Sequence, residues 1–281
     1  MLNAMQESGK FNITILSRSK IANAAPGMKA VTIDYNDAQS LTSALSGQDA
    51  LVCTLSRSAV PCQIALIDAA VVAGVQRFIP SEFGANLNNE NCRRLFNYRE
   101  KVKVQEYLEQ KVEQSSMTYT YIYTNVLMDW SLEAGILLDL CNAKACLYDG
   151  GNKQVSMCTM PAVGKAVVGV LLNYEATMNR AIYVHEAVIS QKALLSYAMK
   201  VTPHLQWRHE RANLEDLQDG RQRKQTRSSD LSTFHVGAMK AAFSEGFGNS
   251  FDVVDNKLLG IEMMSESDLM SLIRSLLERI V

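Results

Sequence analysis

Apolar positions in the first half of the chain alternate between two spacings. Phe11 to Leu16 alternates apolar and polar residues and is rich in strand formers, and Ala30 to Asp34 reads as a second such segment. Ala38 to Leu45 then places Ala38, Leu41 and Leu45 on one helical face. Ala50-Leu51-Val52-Cys53-Thr54-Leu55 has the near-continuous apolar character of a strand in the middle of a parallel sheet. Ser56 to Pro61 reads as a loop, and Gln63 opens an apolar helical run from Ile64 to Ala73, closed by Gly74 as a C-terminal cap. Val75 to Ile79 is a short buried strand, a helix covers about Asn97 to Gln110, and Met117 to Tyr123 alternates as another strand. Strand, helix and strand in turn predict an α/β fold with a doubly wound parallel sheet.

The second half changes character. Ile136 to Leu140, Lys144 to Tyr148 and the turn Asp149-Gly150-Gly151-Asn152 predict a small strand-turn unit. Met160 to Asn173 is a helix with Val163, Ala166, Val167 and Val170 inward. Arg180 to Val184 is a strand suited to rejoin the first sheet. A helix runs from Ser190-Gln191 to about Val201, Trp207 to Glu210 is a short strand, and another helix begins at Asn213. Further helices cover Asp230 to Ala242 and Ser265 to Ile280. No internal repeat and no linker rich in Pro or Gly separates the halves, so two intimately packed parts are expected.

Composition narrows the function classes. A chain of 281 residues with 47% hydrophobic and 20% charged residues is ordinary for a globular protein. Its net charge of −1 gives no electrostatic footprint for nucleic acid. The basic stretch Arg221-Gln222-Arg223-Lys224-Gln225-Thr226-Arg227 reads as a solvated face or loop. No apolar run reaches the roughly 20 residues that span a bilayer, and no basic segment leads into an apolar signal core. Six cysteines without zinc-type spacing suit reduced thiols and a cytoplasmic location. The four histidines show no paired metal spacing, so no metal is expected.

Two stretches carry chemistry. Pro80 has no N–H for a ladder, so the strand before it ends there, and Ser81, Glu82, Phe83 and Gly84 leave its carboxyl end as a loop. Ligands of open α/β sheets bind at that edge. A serine, a carboxylate and an aromatic ring there suit a polar head group and a flat ring; the same residues also suit a Ser-Glu helix cap. The first predicted strand runs into Ser17-Arg18-Ser19-Lys20. In a dinucleotide-binding fold the corresponding position meets the adenosine ribose, where an acid favours the 2′-hydroxyl and an arginine accommodates a 2′-phosphate. Arg18 and Lys20 therefore favour NADP over NAD, with a solvated basic loop as the other reading.

The stretch Arg77-Phe78-Ile79-Pro80-Ser81-Glu82-Phe83-Gly84 resembles the signature of the isoflavone reductase-like, NmrA-like branch of atypical short-chain dehydrogenases. The resemblance runs from Ser8-Gly9-Lys10-Phe11 to the C-terminus and is strongest to fungal members. It implies a Rossmann-type NAD(P)-binding domain over residues 1–130. A smaller α/β substrate lobe covers 131–281, with about 160–185 returning to the sheet, and the two form one cleft. It places Thr54, Leu55 and Gln63 along the pyrophosphate and nicotinamide ribose, and Ser81, Glu82, Phe83 and Asn125 beside the cofactor and pocket. Relatives carry a catalytic lysine in a Lys-x-x-Val/Ile pattern at the start of a helix. Lys101-Val102-Lys103-Val104 matches that register, making Lys101 the proton carrier ahead of Arg99 and Lys103. Fungal members commonly have Thr-Gly-Pro-Phe where this chain has Thr124-Asn125-Val126-Leu127, and Asn125 is closer to the Ser-Asn of plant members. The implied function is NADPH-dependent hydride transfer to a small aromatic or conjugated substrate. The alternative is an NmrA-like sensor that binds dinucleotide and a protein partner without turnover.

One departure stands out. Neither a first strand nor a Gly-x-x-Gly-x-x-Gly turn leads into the helical segment Met1 to Ser8. Against the family pattern, the sequence starts part-way through the first helix, and weak dinucleotide binding by this chain is the expectation. Phe11–Leu16 and Ala50–Leu55 are then expected either to keep open inner edges or to close up and pair with each other.

Overall fold

A computed structural model describes residues 1–21, 26–216 and 230–280. A short helix α1 (Leu2–Ser8) precedes strands β1 (Ile13–Ser17) and β2 (Met28–Thr32). Helix α2 (Ala38–Leu45), strand β3 (Ala50–Val52), helix α3 (Gln63–Ala73) and strand β4 (Arg77–Ile79) follow. Next come helix α4 (Arg99–Glu113), strands β5 (Thr118–Tyr123) and β6 (Val126–Leu127), and helix α5 (Met128–Glu133). The remainder contains β7 (Lys144–Tyr148), β8 (Val155–Cys158), α6 (Met160–Leu172), β9 (Arg180–Tyr183) and β10 (Ala187–Ile189). Helix α7 (Gln191–Val201), strand β11 (Arg208–Ala212) and helices α8 (Asp230–Phe243) and α9 (Glu266–Ile280) complete it. The chain forms two units: Met1–Glu82, Glu100–Ile122 and Gly164–Ile182 make the first, and Phe83–Arg99, Tyr123–Val163 and Tyr183–Val281 the second.

The first unit is built on parallel strands. β3, β4, β5 and β9 form one sheet in that order, with β3–β4 and β4–β5 parallel. β1 and β2 form a separate parallel pair, in register from Ile13↔Met28 to Ser17↔Thr32. Among the described residues no strand pairs with the other edge of β1 or of β3, so the edges stay open and do not close onto each other. β3 stops short of its apolar run, and β4 ends at Ile79, for a chemical reason. Cys53 N–H still donates to Ile79 O at 2.8 Å, but Pro80 brings no donor to continue the ladder. Helix α2 starts at Asp37, whose carboxylate accepts from Gln39 N–H and Ser40 N–H, and it buries Leu41 and Leu45. Helix α3 ends at Gly74 in the left-handed conformation, φ 77°.

Arg77 is a fully buried charge within this unit. Its guanidinium donates to Thr118 Oγ1 (2.8 Å), Thr120 Oγ1 (2.8 Å), Thr177 Oγ1 (3.0 Å) and Tyr174 O (2.8 Å). It also lies over the Tyr174 ring, 4.2 Å from the centroid. One side chain thereby ties β4 to β5 and to the short helix Tyr174–Thr177 before β9. Arg77→Met leaves buried Thr120 and Thr177 and half-buried Thr118 and Tyr174 without this donor, so urea unfolding should show a loss of about 3 kcal/mol. A loss below about 0.5 kcal/mol, the range of neutral surface changes, would show that the network is dispensable.

The second unit holds a three-stranded sheet, β10–β8–β6, antiparallel on one side of β8 and parallel on the other. β7 and β11 form a further parallel pair. Leu137, Leu147, Val155, Met157, Leu194 and Phe243 share its core with Leu269, Ile273 and Leu276 of α9. Ile136 to Leu140 is not the strand that its composition suggests. Gly135 turns the chain at φ 67°, and Ile136 N–H and Leu137 N–H donate to Ser131 O, folding the run onto the end of α5. The basic stretch Arg221 to Arg227 lies outside the described residues. All six cysteines are free thiols, and burial pushes that of Cys92 up to about 12. Among the described residues no helix is long and apolar enough to cross a membrane.

Candidate functional site

The loop after β4 is a built turn, not a helix cap. Glu82 N–H donates to Pro80 O at 2.8 Å, closing a tight turn. Ser81 N–H donates to Gln63 Oε1 (2.8 Å), and Ser81 Oγ donates to Leu55 O (3.0 Å). The other end of the Gln63 amide donates to Val60 O (3.3 Å). Leu55, Gln63 and Ser81 therefore spend polar groups on one another. They pin the turn across the end of β3, the start of α3 and the end of β4, and Gln63, Ser81 and Glu82 are buried.

Lys101 lies in the first turn of α4 and reaches this turn. Its Nζ donates to Glu82 O at 2.6 Å and stands 3.7 Å from Glu82 Oε2. The Lys101 side chain is 22% exposed and that of Glu82 2%. The neighbouring basic residues behave differently. Lys103 is 65% exposed and pairs with Glu100 on its own helix at 3.0 Å. Arg99 belongs to the second unit, where its guanidinium covers the Phe96 ring at 4.2 Å. Helical phase makes this choice: residues two apart on a helix point to different faces.

Arg18 and Lys20 are exposed in the bend after β1, where Ser19 N–H donates to Ser17 Oγ at 3.2 Å. Tyr35, just past β2, is a neighbour that the sequence reading missed. Burial pushes its phenol up, Cys53 and Cys62 add to this, and the Arg18 guanidinium opposes it. The carboxyl ends of β1, β2 and β3 thus supply one neighbourhood. The signal available for Tyr35 was its position, an aromatic leaving a predicted strand at the ligand-binding edge. Thr54 is exposed beyond β3 and Leu55 half-buried.

Phe83 and Asn125 belong to the second unit. Both hold left-handed backbone without being glycine, Phe83 at φ 38° and Asn125 at φ 52°. Asparagine adopts this region readily; an aromatic does not, and such residues concentrate at functional sites. Gly84 O accepts from both Thr124 N–H (3.2 Å) and Asn125 N–H (2.9 Å), while Asn125 Nδ2 donates to Asn249 O at 2.6 Å. Thr124 is fully buried, and its Oγ1 has no hydrogen-bond partner among the described residues.

The NmrA-like family model matches residues 4–205. The oxidoreductase poxI of Penicillium oxalicum is 28% identical over 288 aligned positions, which cover 96% of this chain and 88% of that protein. The fold is similar to the crystal structure of isoflavone reductase, with a TM-score of 0.73 and 17% identity over 96% of this chain and 93% of that one. It is also similar to the leucoanthocyanidin reductase–NADPH complex from Vitis vinifera, with a TM-score of 0.77 and 19% identity over 97% and 94% of the two chains.

Proposed function

Because the chain belongs to the NmrA-like family, with its Rossmann-type fold, we propose that it is an NADPH-dependent reductase of small aromatic or conjugated substrates. The observation that carries the reading is Lys101, whose Nζ is held 2.6 Å from the Glu82 carbonyl oxygen. That supports reading Lys101 as a proton donor beside the strand-end edge where such sheets take their ligands. NADPH, when bound, supplies the hydride. Arg18 and Lys20 suit its 2′-phosphate, and Thr54 lies exposed beyond β3 for the sugar-phosphate chain. Lys101 delivers the proton to a substrate oxygen.

Steady NADPH oxidation with a panel of isoflavones and enones tests this, followed by loss of nicotinamide absorbance. Turnover with at least one member is expected; saturable NADPH binding without turnover of any would favour the sensor. Cofactor choice is a separate expectation. The parent protein should bind NADPH more tightly than NADH, and Arg18→Ala should shrink that preference by about 1.5–3 kcal/mol, the worth of a charge-assisted hydrogen bond. Calorimetric titration of both cofactors measures it, and equal affinity of the parent for the two would contradict the assignment.

A further inference from the structure

We propose that Glu82 is the positioning residue for Lys101, a role resting on the reading of Lys101 as the proton donor. A carboxylate buried to 2% exposure is costly unless a charge or donor faces it. Lys101 Nζ faces it at 3.7 Å while donating to the carbonyl oxygen of the same residue at 2.6 Å. The second distance is a hydrogen bond; the first is an ion pair too long to be one. An ammonium carries three donors. Glu82 therefore takes one outright and constrains the direction of a second, and the remaining donor is aimed by what the first two hold.

The arrangement differs from an ordinary surface pair. Lys103 meets a glutamate three positions away on its own helix, so both partners move together. Lys101 meets a residue 19 positions earlier, on another element. That element is itself fixed by the bonds of Ser81 to Gln63 and Leu55. A four-carbon side chain is flexible by nature, and a proton donor must lie within hydrogen-bond reach of its target. A fixed carbonyl and a buried carboxylate together meet that need.

The test is acylation of lysines by a water-soluble activated ester, with peptide mass spectrometry comparing Lys101 and Lys103 in the parent, Glu82→Gln and Glu82→Asp proteins. In the parent, Lys101 should react more slowly than Lys103. Glu82→Gln should raise the Lys101 rate about tenfold, the equivalent of one lost charge-assisted contact, and leave Lys103 unchanged. Glu82→Asp, which keeps the charge, should restore part of the protection. An unchanged Lys101 rate in Glu82→Gln would overturn the proposal. So would a parallel rise at both lysines in both variants, because that reports general loosening. The readout needs no turnover: if Lys101→Ala kept full activity while Glu82→Gln released Lys101, the positioning would stand and the reading of Lys101 as proton donor would fall.

Discussion

Lys101→Ala should lower turnover by roughly 10²–10⁴-fold, the range for loss of a positioned acid or base, with NADPH affinity nearly unchanged and stability lowered, because the buried Glu82 carboxylate loses the ammonium that faces it. The expectation comes from what the side chain does in the fold. Its hydrogen bond goes to a turn that Ser81, Gln63 and Leu55 already hold by other bonds, so the turn survives its removal. The helix survives as well, because alanine is the best helix former. What disappears is the amine that meets Glu82. Lys101→Arg should be nearly as inactive, since guanidinium keeps the charge but does not release a proton in proteins. Lys103→Ala should change turnover by less than about twofold, its exposed pair with Glu100 being of the kind worth little. Rates on a substrate found in the panel, with kcat and KM separated, check all three. Unchanged turnover in Lys101→Ala would remove this residue from the mechanism.

How much was legible in the sequence depended on whether the signal was local. Helix α2 has the predicted bounds because its cap, Asp37, and its buried face, Leu41 and Leu45, all lie within nine residues. The end of β4 was legible because a single residue, Pro80, sets it. Strand β8 (Val155–Cys158) was not, since it is buried on both faces and mixes Ser, Met and Cys without alternation. Ile136–Leu140 looked like a strand because composition does not reveal that Gly135 reverses the chain. At the site, the choice of Lys101 over Lys103 followed the motif register; in the structure the Lys101 amine meets Glu82 and the Lys103 amine meets Glu100. The tie between Gln63, Ser81 and Leu55 joins residues 18 and 26 positions apart, and no pattern along the chain announces such partners. The buried partnership of Glu82 with Lys101 was hidden for the same reason.

The central claim, hydride transfer from NADPH to a conjugated substrate, is tested most directly by isotope. The protein, with NADPH deuterated at the transferable position, is incubated with each isoflavone and enone of the panel, and products are read by mass spectrometry. One deuterium on a carbon of at least one reduced product, formed roughly 10²–10⁴-fold more slowly by Lys101→Ala, is the predicted result. Bound cofactor that never passes deuterium to any member would contradict the account.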